Sequence, residues 1–182
     1  MSLSELPRRI FLDSCTVQTL FEYGAFIHEG EPVSRHDRIH AVTDGIANLE
    51  ALRNIFIVND RALFEWIVSA GSMNEGRARG NASHMQWLWD IADHSAICLA
   101  GDGPTVESEA LARRLDEARF GNISQKDKRL LQHAVALRCD AFLTVERRLP
   151  TRAAHVKAEL GISILTPRTH WQMLEPYAAL WL

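Results

Sequence analysis

Four carboxylates stand where a carboxylate has to be explained. Asp13 follows the apolar run Ile10–Leu12 directly and precedes Ser14 and Cys15 in "RRIFLDSCTV". A charge placed behind a buried strand is costly unless something pairs with it. Asp13 therefore reads as a helix cap, the nucleophile of a phosphotransferase, or one ligand of a metal site. Glu146 follows "FLTV" in the same manner, and Asp127 opens the helical pattern "ISQKDKRLLQHAVALRCD". Asp127 precedes Leu130, Leu131 and Ala134 by three, four and seven positions, so it faces inward at the helix N-terminus. Glu65 lies among Leu63, Phe64, Trp66, Ile67 and Val68, a setting with little polar face.

Each acid also has a purely structural account. Ser124 and Asp127 have the spacing of a capping pair. Arg61 and Glu65 are four apart, as in a helical ion pair, and Glu146 can pair with Arg147 or Arg148 in a turn. As a set, four carboxylates at one sheet edge would repel each other unless a divalent cation neutralised them. Oxygen-only ligation selects hard ions such as Mg²⁺ or Mn²⁺. The phosphotransferase alternative needs a second acid two residues after the nucleophile, where this chain has Cys15. His36 and His40 in "HDRIH" share a helical face but lack the glutamate of a zinc-protease motif, and read as surface residues.

The elements that must position these acids alternate along the chain. Ile10–Leu12 predicts a short buried strand, followed by a helix from Thr16 to about Ile27 that breaks at Gly30 and Pro32. Ile39, Val42, Ile46, Leu49 and Leu52 predict a helix from about His36 to Arg53. The apolar run Ile55–Val58 predicts a strand, and Asn59 or Asp60 would cap a helix from Arg61 to about Ala70. A Gly-rich loop, "GSMNEGRARGN", then leads to a helix in "ASHMQWLWDIADH" and a strand in "AICLA". Trp87 and Trp89 read as core residues. Helices are expected from about Thr105 to Arg119 and from Ser124 to Arg138, then a strand in "DAFLTV", a helix ending at Gly161, a strand in "ISIL", and a helix after Pro167. Strands apolar on both faces, alternating with helices, belong to a parallel sheet covered on both sides. The expected fold is α/β, a three-layer α/β/α sandwich with a mainly parallel central sheet, in one domain spanning 1–182. Such sheets bind ligands beyond the carboxyl ends of their strands, where Asp13 and Glu146 would lie.

Bulk properties narrow the classes. The 182 residues are 47% hydrophobic, which excludes wholesale disorder. A net charge of −3 argues against coating nucleic acid by charge alone, yet ten of the 20 Lys and Arg residues fall between Arg113 and Arg152, beside only five acids. That window is locally basic and suits either solvated helix faces or a polyanion. No apolar run approaches the ~20 residues of a membrane span, and "MSLSELPRRI" lacks an apolar run behind its charges, so no secretory signal is expected. Three cysteines without paired spacing predict no disulfide framework, and a cytoplasmic location.

The stretches "FLDSCTV", "SQKDKRLLQHAVALRCDAFLTVERRL" and "GISILTP", with the Glu65 segment, resemble PIN domains, metal-dependent nucleases of the FEN-like group. That family has an aspartate after the first strand and a glutamate in the helix after the second. A further aspartate opens the helix before a strand that ends in a Thr-x-Asp-like motif. The resemblance implies that Asp13, Glu65, Asp127 and Glu146 are the catalytic metal ligands for Mg²⁺ or Mn²⁺, with Ser14 and Thr144 as polar supports. It implies an endoribonuclease hydrolysing single-stranded RNA, whose backbone Arg77, Arg79, Arg147 and Arg148 would grip. Two departures are visible: Glu146 stands where aspartate is usual, and the region at about 28–54 lengthens the chain relative to small toxins of this fold. A toxin with an antitoxin-like protein partner is one implied role. A catalytically degraded module that binds RNA or a protein is the alternative. The apolar end "YAALWL" suits docking on the core or in a homodimer.

Overall fold

Ile10, Phe11 and Leu12 are wholly buried, and the rest of the fold is arranged around them. The computed structural model describes residues 2–76, 82–102, 110–111, 113–115 and 123–181. Among these, four strands form one all-parallel sheet: β1 (Arg9–Leu12), β2 (Glu65–Ile67), β3 (Ala141–Leu143) and β4 (Ser163–Leu165), in the spatial order β2-β1-β3-β4. Strands this short place every residue near an end of the sheet. Residues just before or after a strand therefore line the two ends of the sheet.

Alternation along the strands sorts side chains into two cores. Ile10, Leu12, Trp66, Ala141, Leu143 and Leu165 enter one, and Phe11, Ile67, Phe142 and Ile164 enter the other. On the first face lie α1 (Ser14–Glu22), α2 (Gly45–Ala62), α3 (Ala70–Gly76), α4 (Ala82–Asp102) and the C-terminal α7 (Pro167–Leu174). The second face is covered by α5 (Gln125–Ala136) and α6 (Ala153–Leu160), through Leu130, Leu131, Ala134 and Val156. α7 itself runs Pro167–Leu174, its first turn built on Thr166, whose side chain accepts from the Thr169 N–H. Phe11 and Phe142 are register partners and stack at 5.2 Å across the middle of the sheet.

The parallel sheet with helices on both faces is as the sequence predicts, and several elements are not. Ile55–Val58 is not a strand but lies in the second half of α2, which carries one buried stripe through Leu49, Leu52, Ile55 and Val58. A short apolar run has no period of its own, and here the helical stripe before it decides. The helix ends at Leu63, in the left-handed region at φ 54° and 76% exposed, a conformation that costs a Leu about 1–2 kcal/mol. That turn sends the chain into β2 where a helix from Arg61 was expected. "AICLA" lies inside α4 rather than in a strand.

The first predicted helix stops at Glu22 and continues as a π-helical turn, Ala25–Glu29. The region at about 28–54 holds a 3-10 turn, Arg38–Ala41, and then the first half of α2. Trp87 and Trp89 are half-buried against the first core. Arg77 and Arg79 lie outside the described residues, as does most of the helix expected from Thr105 to Arg119. Among the described residues no helix is long and apolar enough to cross a membrane.

Candidate functional site

The carboxyl ends of the two central strands, β1 and β3, are joined by hydrogen bonds that involve three small polar residues. Asp13 caps α1: its Oδ1 accepts from the Ser14 N–H at 2.7 Å and from the Ser14 hydroxyl at 3.4 Å. Its Oδ2 accepts from the Thr144 hydroxyl at 2.7 Å. Thr144 Oγ1 in turn accepts from the Glu146 N–H at 3.0 Å. One hydroxyl thus fixes both the Asp13 carboxylate and the backbone that presents Glu146. Two more hydroxyls hold the strand ends: Thr16 donates to the Leu143 carbonyl at 3.0 Å, and Ser72 to the Leu12 carbonyl at 3.2 Å. Thr16 and Ser72 were missed by sequence reasoning. The available signal was a small hydroxyl residue in the first turn of a helix that follows a strand.

Asp13 is 2% exposed. Burial pushes its carboxyl above the usual carboxylate range, and the hydrogen bonds from Thr144 and Ser14 pull the other way. The Asp127 and Glu146 carboxylates add a further upward push. The same three acids, after burial, drive the Cys15 thiol up to about 11. Cys15 is therefore a neutral thiol near pH 7 and no nucleophile.

A cleft of about 660 Å³ opens at this edge. Ser14, Cys15, Asp127 and Glu146 line it together with Lys126, Arg147, Arg148 and Arg152. Asp127 also serves as the capping partner anticipated for it. Ser124 Oγ accepts from the Asp127 N–H at 3.1 Å and donates to Asp127 Oδ2 at 2.7 Å.

Glu65 is not at this edge. It begins β2, level with Arg9 at the amino end of β1, so the length of the sheet separates it from Asp13. There it pairs with the Arg9 guanidinium at 2.9 Å. Glu65 was expected inside a helix from Arg61, but α2 ends at Ala62 and Glu65 opens β2, and a residue opening a parallel strand lies at the opposite end of the sheet. The helix that follows the second strand is α3, and the acid in its sequence is Glu75.

Among the described residues no group of three or more His, Cys, Asp and Glu is placed to hold a metal ion. The chemistry of the donor set nevertheless fits a hard divalent cation. Asp13, Asp127 and Glu146 offer only oxygen, and the charges acting most on the buried Asp13 are the two other carboxylates. No family model, no curated protein and no solved structure matches the chain.

Proposed function

We propose that the chain is a PIN-like, Mg²⁺- or Mn²⁺-dependent ribonuclease that hydrolyses phosphodiester bonds in single-stranded RNA. The observation that carries this reading is the buried Asp13, held by Ser14 and Thr144 at the carboxyl end of the central strands, with Asp127 and Glu146 close enough to raise its pKa. Asp13, Asp127 and Glu146 would hold the cation. A bound divalent ion would lower the pKa of a water and stabilise charge on the leaving oxygen.

The remaining work falls to the protein's own groups. Thr144 and Ser14 orient the Asp13 carboxylate and oppose the effect of burial on it. Lys126, Arg147, Arg148 and Arg152 bring cations to the cleft, where they would engage phosphate oxygens on either side of the scissile bond. Cys15 stays protonated and contributes contact only.

The test is Mn²⁺-dependent cleavage of an unstructured RNA by the wild type, Asp13→Asn and Asp127→Asn. Cleavage by the wild type that vanishes in both variants and in excess EDTA supports the reading. Equal activity in all three, or activity that survives EDTA, overturns it. The engagement of Asp127 with Ser124 favours a second reading, a module that binds RNA without cutting it. Retained RNA binding with no Mn²⁺ uptake by calorimetry would establish that alternative.

A further inference from the structure

A second cavity, of about 330 Å³, adjoins the carboxylate cleft. Cys15 borders both, and Val145 in the second is the chain neighbour of Glu146 in the first. Its volume is at the small end of the range for ligand pockets. One wall is α1, through Gln18. The opposite wall is the turn containing Ile39 and Val42, packed on the start of α2 with Asn48 and Leu49. That turn is rigidly placed. Tyr23 on α1 donates to Asp37 Oδ1 at 2.7 Å, and Asp37 also accepts from the Ile39 N–H at 2.9 Å. α2 approaches so closely that a Cβ at Gly45 would collide with the Ile39 carbonyl.

The charges around this cavity are already paired. Arg38 donates to both oxygens of Glu22 at 2.6 Å, and Asp37 takes the Tyr23 hydroxyl. The cavity therefore suits a neutral, flat group better than a phosphate, whereas the adjoining cleft carries the arginines. Its apolar lining comes from Ile39, Val42 and Leu49, and two primary amides supply donors and acceptors. The Asn48 carbonyl already accepts from the Arg168 N–H at 3.2 Å, which leaves its NH₂ group to donate. Side-chain amides match the edges of nucleobases, and single-stranded RNA is read through bases splayed out of the stack.

We propose that this cavity is a base-reading subsite: it takes the unpaired nucleobase next to the scissile phosphate and reads it with Gln18 and Asn48. This rests on the ribonuclease reading for the identity of the strand, and it gives that strand a sequence preference. The lengthened region at about 28–54 supplies half of the pocket, so specificity is its contribution.

The experiment measures binding separately from cleavage. Fluorescence anisotropy is recorded without metal for the A, C and U homopentamers of RNA, on the wild type, Gln18→Ala, Val42→Trp and Arg147→Ala/Arg148→Ala. The expected result is a spread of about tenfold among the three wild-type affinities, the size of one good amide–base contact. Val42→Trp, which fills the pocket from an exposed position, and Gln18→Ala should each erase the spread while keeping the circular dichroism of the wild type. The double arginine variant should weaken all three equally and leave the spread intact. Equal wild-type affinities, no wild-type binding, or a spread that persists in both pocket variants overturns the subsite. A spread that responds as expected without Mn²⁺-dependent cleavage keeps the subsite and overturns the nuclease. Cleavage without base preference does the reverse.

Discussion

The Thr144 hydroxyl donates to Asp13 Oδ2 at 2.7 Å, linking two residues 131 positions apart in sequence. Both are buried, and the same oxygen of Thr144 receives the Glu146 N–H at 3.0 Å. The carboxylate edge is therefore cross-braced before any ligand arrives.

Replacing Thr144 by Val removes a hydrogen bond to a charged group and leaves the Glu146 N–H without its acceptor. Urea unfolding should show a loss of about 1.5–3 kcal/mol. Thr144→Ser, which keeps the hydroxyl, should recover most of it. Equal midpoints for wild type and Thr144→Val would show that the brace carries no stability.

Asp13→Asn should make the metal-free protein more stable at pH 7. Burial raises the Asp13 pKa in the folded state, so between its unfolded and folded values the folded chain binds more protons than the unfolded one. Stability therefore falls as pH rises through that window, and the deficit persists above it. Removing the charge should raise Tm in EDTA. Added Mn²⁺ should raise the Tm of the wild type and leave that of the variant unchanged.

Glu65→Gln should leave cleavage at the wild-type rate and cost less than about 1 kcal/mol, since Glu65 is the exposed member of its ion pair with the half-buried Arg9. Initial rates on one fluorescent RNA measure the first expectation, and a rate reduced by about a hundredfold would return the ligand role to Glu65.

His170 predicts an acid limit. It is fully buried, neither ring nitrogen has a hydrogen-bond partner among the described residues, and its ring lies 5.7 Å from that of Phe64. Burial holds its pKa down to about 4, against an ordinary 6.5. Between these values the unfolded chain takes up a proton that the folded chain does not. Stability is thus full above pH 6.5 and falls as pH drops toward 4, by about 3 kcal/mol in all. His170→Phe should flatten that slope in a pH series of urea melts. An unchanged slope would exclude His170 as its source.

The stretch from Ile123 to Leu174 was legible in sequence because its punctuation is strong. Ser124 caps α5, Gly161 ends α6 at φ 75°, and Thr166-Pro167 starts α7. Asp13 and Thr144 were legible for the same reason, each standing immediately past an apolar run. The middle of the chain was not. "NIFIV" and "FEWIV" are both short apolar runs, one helical and one largely strand, and only their neighbours in space distinguish them. Misreading the second moved Glu65 from one end of the sheet to the other. The hydroxyls of Thr16 and Ser72 act on strand carbonyls distant in sequence, Leu143 and Leu12, and their local sign, a small hydroxyl residue in a helix's first turn, does not name the partner.

The stack of Phe11 on Phe142 has a bearing beyond packing. Asp13 and Thr144 each stand two residues beyond one of those rings, so the aromatic pair and the acid–hydroxyl pair form successive rungs of one cross-strand ladder. A one-residue slip of β3 would exchange its side chains between the two cores and turn Thr144 away from Asp13 together. The chain cannot keep a misaligned site inside a well-packed fold. Correct assembly of the hydrophobic layers is itself the proofreading step for the carboxylate edge.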